Sequence, residues 1–136
     1  MDNLIVWADI PVTDIDRAME FYSAVLKRSL MKMPGMESVA IPGPDQPPAE
    51  GDGGAPPEGP MPVAFDLVQT DSMKPSFDGC TIYLNADEDP EGMLQRAADA
   101  GGEILSPLQD MGEMVGWIGF FRDSEGNRIG VHKSHA

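Results

Sequence analysis

The sequence lacks several features that would each point to a particular class of protein. Its single cysteine, Cys80, cannot form an internal disulfide, and no group of Cys and His residues has zinc-site spacing. Lys and Arg number 9 against 23 Asp and Glu, and a net charge of −14 repels phosphate backbones and anionic lipid surfaces. No apolar run is long enough to span a membrane, and the first residues lack the basic segment of a signal peptide. We therefore expect a cytoplasmic protein that binds neither nucleic acid nor membranes.

The length of 136 residues is enough for one domain with a core and too short for two ordinary domains, so we expect a single domain over residues 1–136. Proline and glycine are concentrated in residues 42–62, PGPDQPPAEGDGGAPPEGPMP, with eight prolines, five glycines and almost nothing apolar. Such a segment cannot pack into a core. It is predicted to be a loop, either a mobile excursion or a lid over a pocket.

The segments on the two sides of this loop are similar to each other. Residues 6–30 and residues 80–105 both read as a strand, an acidic turn, a helix and a new strand. Shifting one segment by 74 residues pairs Asp14 with Glu88, Met19 with Met93 and Leu30 with Ile104. This pattern indicates an internal duplication.

Capping signals place the ends of the two predicted helices. In the first copy, Thr13 with Asp16 three residues later forms a plausible N-terminal cap. In the second copy, Asp89 suits the cap position and Pro90 suits the first helical turn. The pair Gly101-Gly102 then predicts the end of the second helix.

Three further strand-like stretches follow each helix. They fall at residues 30–33, 37–41 and 63–69 in the first half and at residues 103–108, 115–121 and 128–133 in the second. Each half is therefore predicted to be a β-α-β-β-β module, with module 1 at about residues 1–71 and module 2 at about residues 72–136. One helix cannot cover both faces of a four-stranded sheet, so the uncovered faces are expected to meet or to curl around a shared cleft. The predicted fold class is α+β, with the helices outside.

Four stretches of this plan resemble the glyoxalase, bleomycin-resistance and extradiol-dioxygenase superfamily, also called vicinal oxygen chelate. They are IPVTDIDRAMEFYSAVL, KPSFDGCTIYLNADED, AADAGGEILSP and GWIGFFRDSEGNRIGVHK, and they span nearly all of the chain outside the proline-rich loop. The branch they resemble most is the one related to lactoylglutathione lyase. The resemblance implies curved mixed sheets that enclose a cleft, and a homodimer in which the partner often completes that cleft.

In the metal-using members, the resemblance implies four ligands, usually His, Gln or Glu, at equivalent strand positions of the two modules. In this sequence those positions carry Trp7, Thr81, Asp66 and Gly130. An indole, a neutral hydroxyl and a glycine are poor or absent ligands, and a lone carboxylate does not retain a transition ion against water. We therefore expect no metal and no other cofactor.

Strand alternation predicts which side chains face the cleft, because residues two apart lie on one face. The predicted inward-facing set is Trp7, Asp9, Asp66, Thr81, Tyr83, Gly130 and His132. Apolar walls with a few polar groups are typical of small-molecule pockets. Trp7 either stacks against a flat ligand or fills the volume of a metal, and Gly130 either leaves room for a ligand or relieves crowding. Met114 and Trp117, in the loop before the penultimate strand, are expected to form an adaptable rim.

His132 is the only inward-facing side chain that titrates near neutrality without help. It acts as a general base if Asp66 or Asp9 orients it, or it is a solvated residue at the end of the last strand. The favoured function is a metal-independent enzyme that acts on a small carbonyl or aromatic compound. The alternative is a non-catalytic protein that sequesters an antibiotic-like small molecule. A remnant whose pocket is filled by its own side chains, or a metal-dependent lyase or dioxygenase, is less favoured.

Overall fold

The structure is a computed structural model that describes residues 4, 5, 7–43 and 63–135. Its strands and helices are, in chain order, β1 (Trp7–Pro11), α1 (Ile15–Leu26), β2 (Leu30–Met33), β3 (Met36–Pro42), β4 (Ala64–Val68), β5 (Ile82–Asn85), α2 (Pro90–Asp99), β6 (Glu103–Asp110), β7 (Trp117–Arg122) and β8 (Arg128–Lys133). The β-α-β-β-β order therefore occurs twice. Of the loop predicted at 42–62, Pro42 ends β3 and Gly43 follows it, while the rest lies outside the described residues.

The strands form two mixed four-stranded sheets with equivalent topology, in the orders β1-β4-β3-β2 and β5-β8-β7-β6. In both sheets the first and last strands of the module are parallel neighbours. The amide of Val12 donates to the carbonyl of Val68 (2.9 Å), and the amide of Ala86 donates to that of His132 (2.8 Å). The equivalent donors Val12 and Ala86 are thus 74 residues apart in the sequence, whereas the equivalent acceptors Val68 and His132 are 64 residues apart. The α+β fold with a duplicated module is confirmed, and the first module carries ten extra residues before β4.

Each helix covers one face of its own sheet, and the two helices pack against each other. Phe21 of α1 contacts Tyr22 edge to face, with ring centroids 5.0 Å apart, and reaches Phe121 of the second sheet at 5.9 Å. The buried core is continuous across both modules. It comprises Ile10, Val12, Ile15, Ala18, Phe21, Tyr22, Val25, Ala40, Phe65, Leu67, Leu84, Ala86, Met93, Leu94, Ala97, Phe121, Ile129 and Val131. No helix of the described residues covers the opposite faces of the two sheets, and the sheets do not close into a barrel.

The helix caps are partly as predicted. Asp14, rather than Thr13, is the N-cap of α1, because its side chain accepts a hydrogen bond from the amide of Arg17 (3.1 Å). The prediction of Thr13 was wrong by one residue, since Thr13 is held by a contact from the other module. Asp89 caps α2 by accepting from the amide of Gly92 (3.0 Å), as expected. Neither helix in the described part of the chain is long and apolar enough to cross a membrane.

The turn between β7 and β8 fastens the second module to the start of α1. The Glu125 carboxylate accepts hydrogen bonds from the amides of Thr13 (2.9 Å) and Asp14 (2.8 Å), and it pairs with the guanidinium of Arg17 (2.6 Å). These donors include helix-terminal N–H groups that have no partner within α1. Burial tends to raise the pKa of Glu125, but the hydrogen bond from Arg17 and those from the backbone outweigh it and lower the pKa to about 2.

A buried polar network continues this junction into the core. Asp123 is 2% exposed and accepts a hydrogen bond from the Tyr22 hydroxyl (2.7 Å). Asn127 donates from its side-chain amide both to Asp123 (2.9 Å) and to the carbonyl of Pro11 (2.8 Å). Because buried polar groups are stable only when they are paired, this network fixes how the second module lies against the first.

Candidate functional site

The face of the first sheet that points away from α1 carries two carboxylates and an indole. Asp9 on β1 lies opposite Asp66 on the parallel neighbour β4, and Trp7 lies opposite Ala64 one step earlier. Their neighbours in the chain point the other way into the core. Asp9 is exposed and Asp66 is half-buried. The structure therefore brings together three of the side chains that the sequence placed in a pocket.

Asp66 has an unusual environment for a carboxylic acid. Its Oδ1 atom is buried, and within the described residues it accepts no hydrogen bond. The pKa of Asp66 is raised to about 6, mainly by burial and then by the neighbouring Asp9 carboxyl, while the indole N–H of Trp7 offsets part of the rise. Asp66 consequently gains and loses a proton close to neutral pH, which is a property of functional acids and bases.

The equivalent face of the second sheet carries a different set of side chains. Tyr83 on β5 lies opposite Gly130 on β8, and Phe120 on β7 lies on the other side of Gly130. A Cβ atom at residue 130 would lie 2.4 Å from Cδ1 of Tyr83. The glycine at the centre of β8 therefore makes room for the ring of Tyr83, which covers it. Thr81 begins this face just before β5.

Next to Tyr83 lies an aromatic and cationic cluster that the sequence analysis missed. The ring centroids of Tyr83 and Phe120 are 5.8 Å apart at an interplanar angle of 61°. The guanidinium carbon of Arg128 lies 4.2 Å from the centroid of Phe120, and its Nη1 is 3.5 Å from the hydroxyl of Thr81. The signal was present in β8, because residue 128 alternates with residues 130 and 132 and so shares their face.

His132 is on this second face but does not meet a carboxylate there. Its Nε2 is hydrogen-bonded to the carbonyl of Val115, in the connection between β6 and β7. Asp9 and Asp66 belong to the other sheet, and no hydrogen bond within the described residues joins either of them to His132. Within one chain, neither Asp9 nor Asp66 therefore orients His132 as a base. His135 pairs separately with Asp110, at 2.7 Å.

Trp117 and Met114 lie apart from the other predicted pocket residues. Trp117 is opposite Lys133 and faces the α2 side of the second sheet, because it alternates with the core residue Phe121. With Leu108, Lys133 and the first residues of α2 it lines an open hollow of about 350 Å³. Met114 is fully exposed. An equivalent hollow of about 370 Å³ lies beside Val12 and Lys74 in the first module.

The comparison with protein families agrees with this duplicated architecture. Residues 4–131 match the model of the glyoxalase/bleomycin resistance protein/dioxygenase superfamily. The chain belongs to this superfamily. No curated protein sequence matches it.

Solved structures of the superfamily have the same fold at low sequence identity. A glyoxalase/bleomycin resistance protein from Albidiferax ferrireducens T118 is 14% identical with a TM-score of 0.66, covering 96% of this chain and 98% of that chain. A glyoxalase-related enzyme from Fulvimarina pelagi is 10% identical with a TM-score of 0.67, covering 98% and 89% respectively. The fosfomycin resistance protein FosX from Mesorhizobium loti is 13% identical with a TM-score of 0.57, covering 98% and 93%. At these identities the likeness establishes the fold alone.

The metal site implied by the superfamily does not fit the residues of this chain. Val68 and His132 are equivalent in the two modules, which makes Asp66 and Gly130 equivalent as well. Of the implied ligand positions, only Asp66 supplies a strong donor, and at Gly130 the ring of Tyr83 occupies the space that a ligating side chain would need. No group of three or more His, Cys, Asp or Glu residues able to hold a metal ion occurs in the described part of the chain.

Proposed function

We propose that the protein binds a small carbonyl-containing or aromatic compound against Trp7, Asp9 and Asp66, and that Asp66 exchanges a proton with it without a metal ion. The observation that carries this proposal is the buried, unpartnered Oδ1 of Asp66 in a carboxyl whose pKa is about 6. A group of this pKa is present in both protonation states near neutrality, so it can serve as a general acid or as a general base.

The two carboxyl groups have different roles in this proposal. Asp66, in its protonated form, donates to the oxygen of a substrate carbonyl as negative charge develops there. In its ionised form, it accepts a proton from the carbon next to such a carbonyl. Asp9 is exposed and acts through its charge, which keeps the proton on Asp66 to higher pH. Trp7 supplies an apolar wall beside the carboxyl group.

The proposal includes a homodimer that covers the uncovered sheet faces. In the chain by itself, Tyr83 is 48% exposed on the second sheet and Asp9 is exposed on the first. A twofold-related partner that lays its second sheet over the first would exclude water from Asp66 and enclose a ligand. Sedimentation velocity of the purified chain tests this directly, and a monomer at micromolar concentration would contradict it.

Proton exchange tests the catalytic proposal without knowledge of the natural substrate. A panel of small ketones, aldehydes and aromatic carbonyl compounds is incubated with the protein in D₂O, and loss of the proton next to the carbonyl is followed by NMR. We expect exchange that increases through pH 6, as Asp66 ionises, and its loss in Asp66→Asn. Asp71→Asn, which removes an exposed carboxylate outside the site, is the control and should exchange normally. Exchange that is unchanged in Asp66→Asn would overturn the proposal.

A non-catalytic sequestering protein is the second candidate. The pair formed by the exposed Tyr83 and the half-buried Phe120 supports it, since aromatic surfaces bind flat ligands without any proton transfer. Under this candidate, compounds that raise the melting temperature would bind equally well to the wild type and to Asp66→Asn, and none of them would exchange protons.

A further inference from the structure

Arg128 differs from three arginines of this acidic chain that each pair with a carboxylate. Arg17 pairs with Glu125, Arg96 with Asp89 and Arg122 with Glu103. Arg128 has no carboxylate partner among the described residues, although the sequence contains 23 Asp and Glu. Its guanidinium lies instead over an aromatic ring, with the hydroxyl of Thr81 as a distant neighbour.

Among the described residues, the guanidinium of Arg128 has one hydrogen-bonding neighbour, the hydroxyl of Thr81 at 3.5 Å. A guanidinium that stacks on an aromatic face uses its flat side, and its N–H groups remain in the plane to bind a carboxylate in a fork. Phe120 holds the group at 4.2 Å, and Tyr83 continues the aromatic surface 5.8 Å further on. Gly130 lies beneath the ring of Tyr83, and because Tyr83 is itself 48% exposed, this ring offers an aromatic surface next to Phe120.

We propose that this face binds a planar organic anion, an aromatic or conjugated carboxylate, with its carboxylate on Arg128 and its flat surface against the exposed ring of Tyr83. Complementarity of charge and shape supports this occupant, because the site pairs one uncompensated cation with two aromatic rings. The inference deepens the proposed function by naming the class of compound, and it rests on that function only in taking this anion to be the substrate that Asp66 serves.

The net charge of −14 repels every anion at long range. An anion therefore binds only where short-range contacts outweigh this repulsion. Simple anions such as acetate gain only the contact with the guanidinium, whereas a flat carboxylate also gains the aromatic surface. Added salt screens the general repulsion beyond about 8 Å, while contacts at the site itself are screened less. Affinity for a flat carboxylate is therefore expected to fall little, or to rise, between low and physiological salt.

Titration of the full-length chain with three probes tests the inference. Benzoate, benzamide and acetate are added to ¹⁵N-labelled protein, and amide shifts are recorded. We expect benzoate to shift the amides of Tyr83, Phe120 and Gly130, with benzamide and acetate at least about tenfold weaker, since each lacks one of the two kinds of contact. Equal binding of benzamide and benzoate, or shifts confined to other parts of the chain, would overturn the inference.

Variants separate the cation of this site from charge in general. Arg128→Gln should weaken benzoate by about tenfold or more, and Arg128→Lys should fall between it and the wild type, because lysine keeps the charge and loses the fork. Arg122→Gln makes the same charge change on an arginine that already has a carboxylate partner, and it should bind benzoate normally. If Arg128→Gln does not fold, the lysine variant and the three-probe comparison on the wild type decide. Unchanged benzoate affinity in Arg128→Lys together with equal affinities for all three probes would refute the site.

Two further results distinguish this inference from the proposed function. If benzoate binds and no compound of the carbonyl panel exchanges a proton, the proposed function is refuted and the anion site stands. If benzoate does not bind and Arg128→Gln instead dissociates a dimer in sedimentation, the occupant of Arg128 is a carboxylate of a second copy, and the anion inference is wrong.

Discussion

The ring of Tyr83 covers Gly130 so closely that a Cβ atom at residue 130 would lie 2.4 Å from Cδ1 of the ring and 2.6 Å from Cε1. The two residues are neighbours across the parallel strands β5 and β8. Their sizes are therefore linked: an aromatic side chain at residue 83 requires a glycine at residue 130.

This link gives a stability prediction. Gly130→Ala should destabilise the fold by about 1–3 kcal/mol, because the added methyl group displaces the ring of Tyr83. In Tyr83→Ala the obstruction is gone, so adding Gly130→Ala to that variant should cost much less than it costs in the wild type. Urea denaturation of the four proteins measures the coupling. Additive effects would show that the ring and residue 130 do not compete for space.

Asp66 gives a prediction on the pH dependence of stability. The unfolded carboxyl ionises near pH 4 and the folded one near pH 6, so the folded state holds more protons in this window and stability falls as the pH rises through it. Allowing for partial access of solvent, the loss is about 1–2 kcal/mol, fully developed above pH 6. The stability of Asp66→Asn minus that of the wild type should therefore be greater at pH 7 than at pH 4 by that amount. The measurement is urea denaturation across this pH range.

Asp9→Asn is the matched control for the pH experiment. It removes the neighbouring charge but keeps the Asp66 carboxyl. Stability should therefore still fall as the pH rises, but by a smaller amount and around a lower pH. A wild type whose stability does not differ in pH dependence from Asp66→Asn would contradict the raised pKa.

Glu125 gives the opposite dependence at lower pH. Its pKa is lowered in the folded state to about 2 from 4.5, so its contribution is present above pH 4.5 and is lost as the pH falls towards 2. Glu125→Ala should cost about 1–3 kcal/mol at pH 7, because α1 loses its hydrogen bonds to the carboxylate, and much less at pH 2. Glu103→Ala removes the exposed pair with Arg122 and should cost under about 1 kcal/mol, with denaturation as the readout for both. Equal costs for the two variants would refute the role of Glu125 at the junction.

Tyr22→Phe tests the buried network. Burial, and then the charge of Asp123, raise the pKa of Tyr22 well above its usual value, so the hydroxyl remains a donor to Asp123 at all ordinary pH values. Removing it leaves a buried carboxylate with one partner fewer and should cost about 1–3 kcal/mol in thermal or urea unfolding. A change within experimental error would mean that water replaces the hydroxyl.

The repeat made most of the fold predictable from sequence. Strands β2 and β8 lie at the predicted bounds, and β6 is longer than predicted by two residues. The cap of α2 was recognisable because Asp89 bonds within its own turn. The cap of α1 was placed one residue too early, because Asp14 also bonds within its own turn whereas Thr13 donates to Glu125, 112 residues away in the sequence. A local pattern carries no information on a partner at that distance.

The site was harder to predict than the fold. Alternation placed Asp66 and Gly130 on the uncovered faces of their sheets, but it does not reveal what fills the space above a glycine. The contact between Arg128 and Phe120 joins neighbouring strands, and neither residue had a motif to mark it. Strand β7 begins two residues later than predicted, at Trp117, and Trp117 lies on the helix side because it alternates with the core residue Phe121.

Glu125 of the second module supplies a hydrogen-bond acceptor to the N-terminus of α1. The first module therefore depends on the second for a partner at the start of its helix. A fragment that held only the second half would keep Asp89 as its own helix start, whereas a fragment of the first half would lose a helix-terminal acceptor and the guanidinium partner with it.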